Sequence, residues 1–220
     1  RGMGAMGFRG GNVTKPHKVQ VIQYLDGTSE AAGLMGAVNC IDRQGDRFIG
    51  ENTDGKGFVQ SLCEVTDPKD KRVVILGAGG AARAIAVELG LAGAAHIQIV
   101  NRSETSGQEL VKLLTDKMQR SAEYVPWHHE LAVPEDAEIL INATSIGLFD
   151  PDARIPLDEK TLRPELVVAD VVFNPPDTRL LQVARDRGCP TVDGLGMLVI
   201  QGVISFQTWT GLDPDPAIMR

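Results

Sequence analysis

Four apolar residues, Val73 to Leu76, run directly into Gly77-Ala-Gly79-Gly-Ala-Ala82, and a stretch rich in helix formers, Ala81 to Leu91, follows at once. Strand, tight turn and helix in immediate succession admit few folds. The turn fits G-x-G-x-x-G/A in the context that pattern requires. Physically it is an anion site. Gly77 allows the tight turn, Gly79 lets the backbone approach a pyrophosphate, and Ala82 keeps helix against strand, while the helix start offers free amides and the positive dipole end. Gly77, Ala78, Gly79, Gly80 and Ala81 are therefore candidate cofactor-binding residues. A structural Gly-rich turn, or another ligand of the same fold such as S-adenosylmethionine, fits the pattern too.

The alternation continues downstream. Ile97 to Val100 reads as a second parallel strand, Glu109 to Met118 as an amphipathic helix, Ile139 to Ile141 and Val167 to Val172 as further strands, Thr178 to Asp186 as a helix, and Pro190 to Val192 as a late short strand. The expected class is α/β, a Rossmann-type doubly wound parallel sheet. Before Val73 the texture differs. Val38 to Ile41 and Arg47 to Ile49, joined at Gly45, read as two strands, and Asp54 to Glu64 as a helix with Asp54 near its start. The expected layout is a second, smaller α/β domain over 1–64, a dinucleotide-binding domain over 65–196 entered through the polar segment Val65 to Lys71, and a C-terminal helical segment over 197–220. That segment, helical in pattern from Met197 to Trp209, is expected to return to the domain boundary.

With 220 residues and 43% hydrophobic content, the chain can build one large core or two small ones. A net charge of -7 gives no basic footprint and argues against a nucleic-acid partner. Arg83 and Glu88 break the Ala-rich stretch and Gln201 the last apolar one, so no run reaches the roughly 20 residues of a membrane helix. No basic segment followed by an apolar run opens the chain, and a cytoplasmic protein acting on a small molecule is expected. Cys40, Cys63 and Cys189 lack metal or redox spacing and read as reduced core cysteines. His17 has no evident carboxylate partner and His128-His129 lacks the spacing of a helical metal pair, so no metal is expected.

The end of the second strand reads Asn101-Arg102-Ser103-Glu104. Arg102 can pair with the 2'-phosphate of NADP in a bidentate, charge-assisted way, whereas Glu104 could take the ribose hydroxyls of NAD. The reading leans to NADP, with NAD use open and with both residues as a solvated charge pair the alternative. Thr144 and Ser145 follow a strand and are expected at the carboxyl edge of the cofactor cleft.

Several segments in order and spacing, Asn12-Val-Thr14-Lys-Pro16-His-Lys18, Gly36-Ala-Val-Asn39, Asn52-Thr-Asp54-Gly-Lys-Gly57, Leu76 to Ala82, Asn142-Ala-Thr-Ser-Ile-Gly147, Asp170-Val-Val-Phe-Asn-Pro175 and Asp193-Gly-Leu-Gly-Met-Leu-Val-Ile-Gln201, together resemble the shikimate/quinate dehydrogenases over nearly the whole chain. The resemblance implies hydride exchange between a nicotinamide cofactor and a ring hydroxy acid, shikimate or quinate. It places the proton-transfer pair at Lys18 and Asp54, a lysine held near a carboxylate being suited to take a hydroxyl proton. Lys15 occupies the variable position and reads as a solvent lysine. Thr14, Asn39 and Gln201 are implied substrate ligands, whose alternatives are turn, cap or helix-surface roles. Val172, Phe173 and Gly194 are implied on the cofactor side, and residues 1–64 become a partial substrate-binding domain. A monomer or homodimer is expected.

The sequence departs from the family pattern at Phe173, where a tyrosine is usual, and at Ser106, where NADP-dependent members often carry a second basic residue. The family's Ser-x-Ser segment has no counterpart, so the sequence is expected to begin partway through the substrate domain. A quinate- or aminoshikimate-type dehydrogenase and a non-catalytic dinucleotide-binding fragment remain the alternatives.

Overall fold

The computed structural model describes residues 2–219. α1 (Gly2–Ala5) is followed by β1 (Gly10–Asn12), β2 (Gly27–Thr28), α2 (Glu30–Met35), β3 (Cys40–Gln44) and β4 (Arg47–Glu51). These strands form one sheet in the order β1-β3-β4-β2, antiparallel except where β2 meets β4. β3 and β4 turn at Gly45, whose φ of +66° favours a residue without a side chain. Its core is small and centres on Ala32, Val38 and Ile41.

α3 (Thr53–Cys63) leads to β5 (Arg72–Leu76), α4 (Gly80–Leu91), β6 (His96–Asn101), α5 (Glu104–Lys112), β7 (Ala122–Pro126), β8 (Ile139–Asn142), β9 (Val167–Asp170), α6 (Arg179–Asp186), β10 (Thr191–Val192), α7 (Gly194–Thr210) and α8 (Pro216–Met219). The strands make a parallel six-stranded sheet in the order β10-β9-β8-β5-β6-β7. Ile75, Ile97, Ile99 and Ile139 pack with Phe58, Ile85 and Leu89 on one face, and Val74, Leu76, Leu140 and Val168 with Trp127, Leu180 and Leu181 on the other. Burial on both faces explains why the strands are unbroken apolar runs. Each such side chain contributes about 1.5–3 kcal/mol. The strand order reverses between β5 and β8, which opens a crevice at their carboxyl ends.

α3 and α7 tie the two sheets together. A Cβ added at Gly57 would lie 2.8 Å from Gln201 N and 2.9 Å from Met197 O, so only glycine permits this approach. At the far end of α7, Trp209 Nε1 donates to Ile41 O at 2.9 Å and fixes the helix on β3.

Several elements differ from the sequence expectation. The helix expected from Glu109 begins at Glu104, because Ser103 Oγ caps it by accepting from Ser106 N, and it runs on into a π-helical turn over Leu113–Lys117. The strand expected to reach Val172 ends at Asp170, whose carboxylate takes the Val172 amide and turns the chain away. The last helix starts at Gly194, capped by Asp193 accepting from Gly196 N. The hairpin strands are shifted, to Cys40–Gln44 and Arg47–Glu51. Cys63, expected in the core, is exposed, because it lies on the outer face of α3 at its end. β1, β2, β7 and α2 carry no apolar run or period long enough to stand out.

Candidate active site

The site is assembled at the start of α3. Asn52 is its N-cap, with Oδ1 accepting from Asp54 N and Gly55 N, so Asp54 falls in the first turn, where the helix dipole favours a negative charge. Two backbone hydrogen bonds bring the Lys18 segment alongside: Val38 N donates to Lys18 O, and Val13 N to Asn39 O, both at 2.8 Å. Lys18 Nζ then donates to Asp54 Oδ2 at 2.7 Å, in a pair about three-quarters buried.

The rest of the corner is closed. Asn39 Nδ2 donates to Asp54 Oδ1 and to Thr53 Oγ1, both at 2.9 Å, and Asn39 Oδ1 accepts from Thr53 N at 2.7 Å. Both amide hydrogens of Asn39 are thus spent on protein oxygens, and its side chain holds Asp54 from the side opposite Lys18. Thr53 Oγ1 lies 3.3 Å from Ser205 Oγ, which donates to Gln201 O at 2.9 Å, so the network ends on α7. Asn39, Thr53 and Ser205 are each 3% exposed or less, which makes every one of these bonds costly to break.

The other expected substrate residues lie at the edge. Gln201 is half-buried, its Oε1 3.5 Å from Thr53 Oγ1. Thr14 is exposed and outside the Lys18–Asp54 network. Lys15 and His17 are exposed as well. Among the described residues no three His, Cys, Asp or Glu side chains converge as a metal site, and burial pushes all three cysteine thiols up, away from a reactive thiolate.

The second corner lies at the carboxyl ends of β5 and β8. Gly77 has φ +105°, and a Cβ there would sit 3.0 Å from Ala143 O and 3.1 Å from Thr144 Cγ2. Both the conformation and the approach exclude a side chain. Gly79 and Gly80 instead face open space, and no side chain caps α4. Free main-chain amides beside open space fit a dinucleotide pyrophosphate. Beyond β6, Arg102 is exposed and makes no ion pair among the described residues. Glu104 lies in the first turn of α5 with its Oε1 taken by Gln108 Nε2 at 2.9 Å, while Ser106 is drawn into the Ser103 cap. Asn101 Nδ2 supports this turn by donating to Ser103 O. On the opposite lip, Thr144 is half-buried, Val172 buried and Phe173 43% exposed, and a Cβ at Gly194 would fall against Val172 O.

The sequence reading missed Thr53, Ser205, Asn142 and Asp170 as site residues. Thr53, Asn142 and Asp170 sit inside the recognised segments. Ser205 had one signal, a hydroxyl inside the apolar run Val203 to Phe206, one turn after Gln201.

Three family models match: Shikimate dehydrogenase substrate binding domain over residues 1–41, Shikimate / quinate 5-dehydrogenase over 60–149, and Shikimate 5'-dehydrogenase C-terminal domain over 194–220. The chain is 43% identical over 213 residues to a shikimate dehydrogenase (NADP(+)) of Alkaliphilus oremlandii, covering 94% of this chain and 74% of the relative. Among solved structures it is 54% identical, with TM-score 0.97, to the ligand-free 5-ketofructose reductase of a Gluconobacter species, covering 99% of this chain and 79% of that one. A Listeria monocytogenes shikimate 5-dehydrogenase in complex with shikimate and NAD is 36% identical with TM-score 0.92, covering 99% and 78%.

Proposed function

The chain belongs to the shikimate/quinate dehydrogenase family, and from that premise we propose that it interconverts shikimate and 3-dehydroshikimate with NADP. The observation that carries this reading is the Lys18–Asp54 pair, 2.7 Å apart and locked from behind by Asn39. NADP supplies the hydride acceptor at its nicotinamide ring. Lys18 takes the carbinol proton as the hydride leaves and returns it to the developing alkoxide in reduction, while Asp54 keeps the ammonium form in place. Asn39 and Thr53 fix the Asp54 carboxylate. Gln201, whose Nε2 donates one hydrogen to Leu198 O at 2.9 Å, reads a ring hydroxyl at the mouth of this corner with the other, and Thr14 reads another from its exposed turn.

On the cofactor side, Gly77 to Ala81 receive the pyrophosphate and Arg102 the 2'-phosphate, supported by Asn101 and Ser103. One Glu104 oxygen accepts from Gln108 while Arg102 is exposed and makes no ion pair among the described residues, which favours NADP over NAD. Thr144, Val172, Phe173 and Gly194 form the nicotinamide side. Cysteines that are all free suit a reducing, cytoplasmic setting, and a monomer or homodimer accords with the family.

A second reading has its own support. The 54% identity to a 5-ketofructose reductase exceeds the 30% to 43% shared with the shikimate dehydrogenases, and Phe173 withdraws a hydroxyl from the substrate side. A polyhydroxylated ketone would use the same Lys18–Asp54 chemistry. Following NADPH absorbance with shikimate, quinate and 5-ketofructose, each with NADP(H) and NAD(H), separates the two. Turnover of shikimate with NADP is expected. Turnover of the ketose alone transfers the assignment to the second reading.

A further inference from the structure

A buried carboxylate at the lip of the cofactor crevice takes no part in the steps above. Asp170 ends β9 with no exposed surface. Its Oδ1 accepts from Asn142 Nδ2 and from Val172 N, each at 2.9 Å, and its Oδ2 accepts from Thr178 Oγ1 at 2.8 Å. Asn142, equally buried at the end of β8, organises the neighbouring loop. Its Oδ1 accepts from Thr144 N at 3.1 Å and Thr144 Oγ1 at 2.7 Å, and its amide nitrogen also donates to Ile146 O at 3.2 Å. Thr144 Oγ1 in turn accepts from Ile146 N at 3.1 Å. The loops after β8 and β9 have no regular structure of their own, and one carboxylate thus holds both, with Phe149 N donating to Asn174 O as a further tie.

We propose that Asp170 is a positioning residue of the nicotinamide half of the cleft: through Asn142, Val172 and Thr178 it sets the Thr144 loop and the Val172–Phe173 loop in one arrangement. The inference rests on the reading of the cleft as an NADP site. Oδ1 accepts from two N–H donors and Oδ2 pairs with the Thr178 hydroxyl, so one carboxylate joins the end of β8, the loop after β9 and the start of α6 at a single point. An amide keeps an acceptor for Asn142 and Val172 but removes the charge that strengthens those bonds. The groups facing Asp170 from β8, from the following loop and from the start of α6 are Asn142, the Val172 amide and Thr178. None is charged, so burial is not offset by a cation and the carboxyl is pushed up to about 6. By linkage the ordered chain holds that proton more readily than the unfolded chain does, so the order of these loops is kept as the pH falls through that value.

The test compares the full cofactor with its adenine half. Calorimetric dissociation constants for NADPH and for adenosine 2',5'-bisphosphate are measured on the wild-type chain, Asp170→Asn and Thr178→Val at about pH 8, where the wild-type carboxylate is ionised. In Asp170→Asn, NADPH binding is expected to weaken by roughly tenfold, the scale of one charge-assisted hydrogen bond, and bisphosphate binding to stay within about twofold. Thr178→Val removes one donor and keeps the carboxylate, so it should show a smaller loss with the same selectivity even if Asp170→Asn fails to fold. Equal weakening of both ligands, or none, in the folded variants overturns the proposal. A wild-type chain that binds the bisphosphate but not NADPH, or neither, overturns the cofactor reading itself.

Discussion

At the glycine turn the cleft presents main-chain amides and open space, whereas at Lys18 it presents side chains whose hydrogen-bonding capacity is already committed. Gly79 and Gly80 meet nothing within 4 Å, while Asn39, Thr53 and Ser205 are almost wholly enclosed. A corner of the first kind recognises a ligand that brings its own charge and fills the space. A corner of the second kind does chemistry with a group held still before substrate arrives. The two should therefore fail differently when altered.

The sharpest separation is expected from Lys18→Ala. It should lower kcat by about 10²-fold or more while the NADPH dissociation constant stays within about twofold. Rapid kinetics combined with calorimetry would break the comparison if affinity fell and turnover did not.

The lip residue Asp170 shows that the cofactor corner also has a side-chain part, and its signature is in stability. Its carboxyl lies at about 6 in the folded chain against an ordinary 3.8, so the folded state keeps a proton that the unfolded chain has released. Stability present below about pH 4 is therefore lost as the pH rises through about 6, by up to about 3 kcal/mol. Thermal unfolding midpoints of Asp170→Asn should lack this fall. Parallel curves for variant and wild type would assign the pH dependence to other groups.

The two glycines of the turn should part company. Gly77→Ala meets φ +105° and the Ala143 carbonyl, and is expected to destabilise the fold by about 1–3 kcal/mol. Gly79→Ala, at φ -80° in open space, should leave the unfolding midpoint unchanged and weaken NADPH by roughly tenfold, because its methyl stands where the pyrophosphate approaches. A destabilised Gly79→Ala would show that this turn is structural.

Within the closed corner, Thr53→Val should cost about 1–3 kcal/mol and lower kcat severalfold, since Asn39 Nδ2 and Ser205 lose their shared oxygen. Thr53→Ser, which restores the hydroxyl, should recover most of both. Recovery of stability without recovery of kcat would remove Thr53 from the support of Asp54.

The unequal legibility of these regions follows from their construction. The strand, turn and helix at Val73 to Leu91 could be read residue by residue because every requirement there is local: apolar residues for a strand buried on both faces, glycine for φ +105°, small residues for a tight helix contact. The segment motifs likewise named Lys18, Asn39 and Asp54. What could not be read was how those residues divide the work. That Asn39 spends both amide hydrogens inside the protein depends on Thr53 and Asp54 lying beside it across the β3–β4 hairpin. That one Glu104 oxygen is engaged depends on Gln108 one helical turn later, in a helix whose start the sequence placed too late.

By itself, then, the sequence determined the parallel sheet and the glycine turn, because propensity, periodicity and backbone conformation act over a few neighbouring residues, and its resemblance to the family singled out Lys18 and Asp54 as the proton-transfer pair we propose. The tertiary structure alone decided that α7 reaches back to Thr53 through Ser205, that Arg102 stands without a partner among the described residues, and that one carboxylate at Asp170 serves two loops. Those outcomes turn on hydrogen bonds between groups up to 152 residues apart, whose distance and direction only the packed chain fixes.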